Sequence, residues 1–183
     1  MLRVIAGEFR GRRIGAPPGG ATRPTADRVR VSLFDLLGDI PQGARVLDVF
    51  AGSGALGIEA LSRGALHCVF VEQSRGALRT LHENLAALSI ADRSTVVPGD
   101  AFGSAVAARG PFDLVLADPP YRDGVEQRLV EEMGRRLTFG GVLALEHARD
   151  RPAPETEGLA VWKARRYGGT LLTLYVRAAE ENS

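Results

Sequence analysis

Two short segments contain residues whose types and order could support chemistry. The segment "LVLADPPY" (114–121) places a carboxylate, two prolines and an aromatic ring directly after an apolar run. Two successive prolines donate no backbone hydrogen bond, so the chain has to leave a sheet at Asp118 in a stiff, extended turn. The segment "LDVFAGSGALG" (47–57) carries a G-x-G-x-x-G pattern at Gly52, Gly54 and Gly57. Glycine loops of this kind bind cofactors when they join a strand to a helix.

The charge of the glycine loop bears on the class of cofactor. With Glu72 following at the end of the next apolar run, the pattern fits a dinucleotide fingerprint. Asp48, however, would repel a pyrophosphate and would attract a ligand that carries cations and no phosphate. S-adenosylmethionine has a positive sulfonium and a positive α-amino group, and its ribose diol suits a bidentate carboxylate such as Glu72. The alternative is that the glycines only allow tight packing of a strand on a helix.

A third carboxylate, Asp100, follows the short apolar segment "STVVPG" (94–99). At this position it could accept a hydrogen bond from the adenine amino group of S-adenosylmethionine. An aspartate ahead of a helix is equally typical of an N-cap. The sequence leaves both interpretations of Asp100 open.

The elements that must position these residues follow from hydrophobic periodicity. Apolar runs predict strands that alternate with amphipathic helices, and two further strands around Gly168–Gly169 close the chain. This pattern predicts an α/β fold, a Rossmann-like, doubly wound, mainly parallel seven-stranded sheet with a terminal antiparallel hairpin. Ligands bind at the carboxyl ends of the strands in such sheets, where Asp48 and Asp118 fall. The predicted strands lie at 44–50, 67–72, 94–100, 112–118 and 140–146, and the predicted helices at 55–64, 75–88 and 124–137.

The first 40 residues predict a separate, basic extension. A short hairpin over 3–16 is followed by a helix that Thr25 can cap, and we expect the boundaries 1–40 for the extension and 41–183 for the α/β domain. Residues 1–30 carry seven arginines and two acidic residues, whereas the whole chain has a net charge of only +1. A solvated arm is the plainer explanation, but the local excess of arginine favours a nucleic-acid contact. The candidate RNA-binding residues are Arg10, Arg12, Arg13, Arg23 and Arg28.

Composition limits the remaining possibilities. A chain of 183 residues with 45% hydrophobic content can bury a sizeable core. The single cysteine, Cys68, excludes an internal disulfide and a cysteine metal cluster, and the three histidines lack ligand spacing, so no metal is expected. No apolar run approaches the length of a membrane span, and the expected protein is cytoplasmic and monomeric.

At the level of whole segments the sequence resembles a known family. "DVFAGSGALG" with "DPPY" is similar to class I S-adenosylmethionine-dependent methyltransferases that act on amino or amide nitrogen. The chain closely resembles the bacterial RsmD family when longer segments are considered together with "DPPY". These segments are "RVIAGEFRGRRI" (3–14), "RPTADRVRVSLFDLL" (23–37) and "LDVFAGSGALGIEALSRGA" (47–65). That family methylates the N2 amino group of a guanine in 16S ribosomal RNA.

The resemblance implies roles for the residues of both motifs. The cofactor, S-adenosylmethionine, is expected at Asp48, Phe50, Ala51, Gly52, Ser53, Gly54, Glu72, Asp100 and Ala101. The catalytic turn is expected to be Asp118, Pro119, Pro120 and Tyr121, with Asp118 and a turn carbonyl accepting the two N–H bonds of the guanine amino group. Tyr121 would stack on the extruded base. The implied partner is 16S ribosomal RNA in the small subunit or its precursor.

Other functions share parts of this pattern. DNA adenine or cytosine amino-methylases use the same turn but usually bring a target-recognition region, for which 183 residues leave no room. Protein glutamine methylases typically have Asn in place of Asp118. A nicotinamide-dependent oxidoreductase is disfavoured by Asp48 and by the lack of a motif-placed hydride-transfer acid. A non-catalytic RNA-binding module would require a damaged cofactor loop, and the loop is intact in sequence.

Overall fold

Seven strands form one sheet in the computed structural model, which describes residues 1–16, 24–107, 109–120 and 124–178. Along the chain these strands are β3 (Arg45–Val49), β4 (His67–Glu72), β5 (Ser94–Pro98), β6 (Phe112–Ala117), β7 (Leu137–Ala148), β8 (Leu159–Tyr167) and β9 (Thr170–Arg177). The first five are mutually parallel. Their order across the sheet is β5-β4-β3-β6-β7-β9-β8, and β9 runs antiparallel to both of its neighbours. The prediction of a parallel sheet that ends in an antiparallel hairpin is confirmed.

The strand order reverses direction between β3 and β6. After β3 the chain continues outward to β4 and β5, whereas after β6 it continues to the other side through β7. The loops that follow β3 and β6 therefore diverge and leave a crevice at the carboxyl ends of the two strands. Since Val49 pairs with Ala117, the residues that follow, Phe50 and Asp118, lie side by side at this crevice.

Helices cover both faces of the sheet, and alternate strand residues supply two separate hydrophobic cores. One core joins strand residues such as Val46 and Leu114 to α1, α2 and α3. The other joins strand residues such as Leu47 and Val115 to α4 and α5. The helices are α1 (Pro24–Leu37), α2 (Ala55–Ser62), α3 (Arg75–Leu88), α4 (Ser104–Ala107) and α5 (Val125–Gly134). A 3-10 turn at Ala91–Arg93 precedes β5.

Two predicted helix boundaries are wrong: α1 begins at Pro24, so Thr25 lies inside it and is not its cap, and the helix predicted over 124–137 is too long. The amphipathic pattern over 124–137 predicts a single helix, but α5 ends at Gly134 and Leu137 begins β7. Leu137 is instead paired with Phe112, whose N–H donates to the carbonyl of Arg136 at 2.8 Å. Pairing with the central sheet thus outweighs helical periodicity over these last three residues.

None of the helices in the described ranges is long and apolar enough to cross a membrane.

The N-terminal extension is packed against the body of the protein. Strands β1 (Leu2–Arg3) and β2 (Arg13–Ile14) form a two-stranded hairpin, whose loop binds the end of α2. The Glu59 carboxylate accepts hydrogen bonds from the N–H groups of Ile5 and Ala6 at 2.8 and 3.0 Å, and Ser62 Oγ accepts one from Phe9. Apolar residues of the hairpin and of α1 join the first hydrophobic core, namely Val4, Phe9, Ile14, Val29, Leu33, Phe34 and Leu37.

Glu59 is the polar anchor of this hairpin, and its loss has a measurable cost. The side chain is only 1% exposed and also accepts a hydrogen bond from Arg63 Nε at 2.8 Å. We expect Glu59→Ala to lower the free energy of unfolding by about 1–3 kcal/mol, because two backbone donors lose their acceptor. Chemical denaturation measures this, with Glu83→Ala on the exposed face of α3 as the control. Equal stability of the two variants would contradict an anchoring role.

Candidate active site

The glycine loop after β3 holds an unusual backbone conformation. Phe50 has a φ of +63°, a value that a bulky side chain rarely adopts, and Gly54 has a φ of +82°. A Cβ at Gly54 would lie 2.5 Å from Leu81 Cδ1, and one at Gly57 would collide with Phe70 and with Cys68 Sγ. The glycines therefore serve tight packing as well as the turn. Strain at a non-glycine residue such as Phe50 is typical of sites where the backbone is held for a ligand.

Glu72, at the end of β4, is held by the backbone on both of its carboxylate oxygens. One oxygen accepts the N–H of Gly52 in the glycine loop at 2.8 Å. The other accepts the N–H groups of Gln73 and Ser74 at 2.9 and 2.7 Å. The side chain is half-buried, so lone pairs remain directed at the crevice. These bonds fix the carboxylate relative to the glycine loop before any ligand binds.

Asp48 is a second fixed carboxylate, on β3 beneath the glycine loop. It is 1% exposed, and one oxygen accepts the N–H of Gly57 at 2.8 Å. Burial raises the pKa of Asp48 to about 7, and the neighbouring negative charges of Asp118 and Glu72 act in the same direction, while the Gly57 hydrogen bond opposes the shift. A cation close to this carboxylate would favour its ionised form.

Two cavities open at the crevice and share three residues. The larger, of about 660 Å³, extends over Glu72 and Asp100. The smaller, of about 240 Å³, extends over Asp48 and the glycine loop to Arg30 of α1. The residues that line both are Phe50, Asp118 and Glu146. The volume of the larger cavity is typical of a site for a small-molecule ligand.

Asp118 and Glu146 form a pair of carboxyl groups at the boundary between the cavities. Ala117 of β6 pairs with Leu145 of β7, so the next residue of each strand lies beside the other. Asp118 is exposed to the cavity, yet the enclosing protein raises its pKa to about 6. Burial, with the charge of Asp118 as a smaller cause, raises the pKa of Glu146 to about 8. Two neighbouring carboxyls in a partly dry site cannot both ionise easily.

The outer wall of the larger cavity comes from the segment after β5. Asp100 Oδ1 accepts the N–H of Phe102 at 2.8 Å and so closes a tight turn, and α4 begins only at Ser104. The ring of Phe102 contacts Phe50 edge to face, with centroids 6.2 Å apart. The Arg128 guanidinium lies over the same Phe102 ring, 4.1 Å from its centroid. Ala101 also lines this cavity.

The predicted site residues divide into two groups in space. The motif residues meet at the crevice, since the cavities contact Asp48, Phe50, Ala51, Gly52, Ser53, Glu72, Asp100, Ala101, Asp118, Pro119 and Pro120. Gly54 lies behind them at the start of α2. Tyr121 and Arg23 lie outside the described residues.

The predicted arginines lie on the N-terminal extension and not at the crevice. Arg10, Arg12, Arg13 and Arg28 are all exposed. Arg12 donates a hydrogen bond to the carbonyl of Ala87 at 2.8 Å, which fixes it against the end of α3. Arg30, by contrast, is buried and donates to the Arg3 carbonyl and to Asp27. The arginines of the extension thus include exposed side chains and one, Arg30, that is buried and hydrogen-bonded within the fold.

Sequence reasoning missed several residues that line the cavities, among them Phe102, Arg128 and Glu146. Phe102 and Arg128 belong to no motif, and only the folded chain brings them together. Glu146 had a usable signal, because it ends an apolar run as Asp118 does, and strand ends at one sheet edge share a site. No group of His, Cys, Asp and Glu that could hold a metal ion occurs within the part of the chain that the structure describes.

The strand order and the crevice are those of a Rossmann-like methyltransferase, the class of the solved structures that superpose on this chain, with a glycine loop after β3, a carboxylate at the end of β4 and D-P-P after β6. The family model described as "Conserved hypothetical protein 95" matches residues 2–176, and the chain belongs to this family. The resemblance to the RsmD family is confirmed by this match and by the relatives described next.

Two relatives and one solved structure are similar to this chain over most of its length. The chain is 38% identical over 180 residues to "Putative rRNA methyltransferase YlbH" of Bacillus subtilis, covering 95% of this chain and 98% of that protein. It is 41% identical over 146 residues to "Ribosomal RNA small subunit methyltransferase D" of Escherichia coli, covering 80% and 71%. Among solved structures, "Putative methyltransferase yhhF from Escherichia coli" superposes with a TM-score of 0.86 at 33% identity, covering 98% and 99%.

Proposed function

We propose that this enzyme transfers a methyl group from S-adenosylmethionine to the N2 amino group of a guanine in small-subunit ribosomal RNA. The observation that carries the proposal is the placement of the Asp118 carboxylate and the Pro119–Pro120 turn on a cavity that also contacts the glycine loop. The relatives named as ribosomal RNA methyltransferases support RNA as the substrate. Both the nucleophile and the methyl donor can be accommodated at this one crevice.

The charges of the crevice fit S-adenosylmethionine better than a dinucleotide. Among the described residues, the two cavities are lined by a carboxylate at or near the end of each of the five parallel strands and by Asp27 of α1, and the cations that line them are Arg30 and Arg128. A pyrophosphate would add two negative charges to this set, whereas a sulfonium and an ammonium would neutralise part of it. We assign Asp48 and the glycine loop to the methionine part, Glu72 to the ribose and the Asp100–Phe102 turn to the adenine.

The reaction needs an acceptor for the amino group more than it needs a strong base. A guanine amino nitrogen is a poor nucleophile, because its lone pair is delocalised into the ring. S-adenosylmethionine, when bound, supplies an activated methyl group. In our proposal Asp118 accepts one N–H bond and a carbonyl of the Pro119–Pro120 turn accepts the other, so the lone pair is directed at the methyl carbon. As the N–C bond forms, the methyl–sulfur bond breaks and S-adenosylhomocysteine leaves, while the Asp118 carboxylate takes up the proton that the amino nitrogen loses. Pro119 is buried and the turn is stiff, which holds its carbonyl direction fixed.

The partner and the organisation of the chain follow from the same proposal. The exposed arginines of residues 1–40 would contact RNA phosphates, and residues 41–183 would bind the cofactor and carry out the transfer. Tyr121 would stack on the target base after it leaves its helix or loop. We propose a monomer that acts in the cytoplasm on the small ribosomal subunit or its precursor.

Two measurements test the proposed function. Calorimetric titration with S-adenosylmethionine and, in parallel, with NAD should give binding only to the former. Incubating ribosomal fractions with labelled cofactor and mapping the modified nucleotide should place the label on the N2 of a guanine in the small-subunit RNA. Binding of NAD, or label on protein or on DNA, would contradict the proposal.

A charge-removal experiment tests the extension. We expect Arg10→Ala, Arg12→Ala and Arg13→Ala together to weaken RNA binding without changing S-adenosylmethionine affinity. The slope of log affinity against log salt should shrink by about 0.7 for each lost phosphate contact on single-stranded RNA, or by up to about 2 for all three. Thermal melting is the control, because Arg12 also bonds Ala87 in the fold. An unchanged salt slope would show that these arginines are only solvated.

A further inference from the structure

Glu146 shares the boundary of both cavities with Asp118 but has no part in the roles assigned above. It lies near the end of β7, half-buried, one strand further from the glycine loop than Asp118. Asp118 of the neighbouring strand and Phe50 of the glycine loop line both cavities with it, while Arg30 lines the smaller cavity and Arg128 the larger. A second carboxyl beside the first needs a physical reason, since placing the two together is unfavourable.

Asp118 and Glu146 together offer a ligand two adjacent hydrogen-bond acceptors. Carboxylates accept hydrogen bonds and cannot donate when ionised. Two adjacent acceptors are therefore stabilised by a ligand that brings two adjacent N–H donors. The raised pKa of each carboxyl agrees with this, because the pair retains a proton near neutral pH in the free protein and two bound N–H donors would favour the loss of that proton.

Guanine offers this arrangement at its methylated edge. Next to the N2 amino group lies N1, which carries a hydrogen and is a donor. The amino groups of adenine and cytosine are instead flanked by a ring nitrogen with a lone pair, which would face a carboxylate oxygen repulsively. An acceptor placed one strand beyond Asp118 can thus distinguish guanine from the other two amino-bearing bases.

We infer that Glu146 is a specificity residue that accepts a hydrogen bond from the N1–H of the target guanine while Asp118 accepts from its N2 amino group. This inference rests on the proposed function and adds to it the reason for choosing guanine. The binding of two donors replaces the repulsion between the carboxyls with two charge-assisted hydrogen bonds. A site built around a substrate N–H strongly rejects an analogue that lacks it, because the buried acceptor is then left unpaired.

The test compares guanine with 2-aminopurine at the mapped position of the RNA. This analogue keeps the amino group at C2 but has a lone pair at N1 instead of a hydrogen. Small-subunit particles are reconstituted with RNA ligated to carry one base or the other. We expect the wild-type protein to methylate 2-aminopurine at least about 100-fold more slowly than guanine. The fluorescence of 2-aminopurine reports separately whether the base has left its stack.

The variant Glu146→Gln tests the residue itself. Its amide can donate to the N1 lone pair of 2-aminopurine, so the guanine preference should fall at least about 10-fold while guanine turnover also decreases. S-adenosylmethionine affinity should change by less than about 3-fold, and Glu83→Gln on the surface of α3 should leave all values unchanged. Comparing the two ratios also cancels any intrinsic difference in reactivity between the two bases.

The possible outcomes separate this inference from the proposed function. Equal rates on both bases by the wild-type protein would overturn the role of Glu146 without requiring any variant to fold. A preference that survives unchanged in a folded Glu146→Gln protein would also overturn it, while guanine methylation itself stands. Failure of the wild-type protein to methylate guanine N2 at all would instead overturn the proposed function, and this inference with it.

Discussion

Replacing Asp118 with alanine is expected to lower turnover by roughly 100- to 1000-fold, the usual scale for the loss of one preorganised electrostatic partner. Affinity for S-adenosylmethionine should change little, because the glycine loop and Glu72 are held by their own hydrogen bonds. The measurement is single-turnover methylation of the RNA substrate with saturating cofactor. A variant that keeps near-normal single-turnover methylation would exclude Asp118 as the acceptor.

The pH dependence supplies a second readout for the same residue. Asp118 accepts well only when ionised, and its pKa is raised to about 6, so turnover should rise with pH between about 5 and 7. Because Glu146 lies beside it, the two carboxyls titrate as a pair. Asp118→Asn keeps an acceptor oxygen that does not titrate. Its profile should lose the rise centred near pH 6, while the titration of Glu146, whose pKa is raised to about 8, remains; a merely structural substitution would not produce this change.

The second large effect is expected at Glu72. Glu72→Ala should weaken S-adenosylmethionine binding by roughly 10- to 150-fold, the equivalent of charge-assisted hydrogen bonds worth about 1.5–3 kcal/mol. RNA affinity should barely change, since the exposed arginines lie on the extension. Calorimetry measures the first quantity and filter binding the second. Unchanged cofactor affinity would identify Glu72 as purely structural.

A matched pair of variants separates the two tasks of Glu72. Its oxygens also accept hydrogen bonds from Gly52, Gln73 and Ser74, so the alanine variant loosens the glycine loop as well as the ribose contact. Glu72→Gln keeps the shape and one acceptor oxygen but removes the charge. If the ribose contact dominates, the glutamine variant should melt close to the wild type and still bind cofactor more weakly.

The sequence was sufficient for the sheet and for the two motifs at its edge. The apolar runs over 67–72 and the helical stripe over 75–88 coincide with β4 and α3, since periodicity is strong in both segments. The strand ends at Asp48 and Asp118 could be placed together because parallel strands share one carboxyl edge. The helical periodicity over 124–137 predicted the wrong structure for residues 135–137, because Leu137 pairs with Phe112 on a strand more than twenty residues away in the chain.

The rest of the site depends on contacts that no local pattern encodes. Phe102 and Arg128 meet only because the turn after β5 and helix α5 pack over the same crevice. The distinction between the buried Arg30 and the exposed Arg28 is set by packing of α1 on the hairpin, although both belong to one basic segment. A count of charged residues cannot distinguish Arg30 from Arg28, whereas their burial in the structure does.

The docking of the N-terminal hairpin has a consequence for the order in which the protein folds. Ile5, Ala6 and Phe9 bond to residues 53 or 54 positions later in the chain, and Gly15 bonds to Asn84, 69 positions later. A hairpin with strands of two residues is not stable alone. The hairpin therefore takes up its structure only after α2 and α3 are available, and its contacts form at a high cost in loop closure. Arg10, Arg12 and Arg13 therefore take up their positions on the hairpin only after α2 and α3, which follow the glycine loop in the chain, have been synthesised.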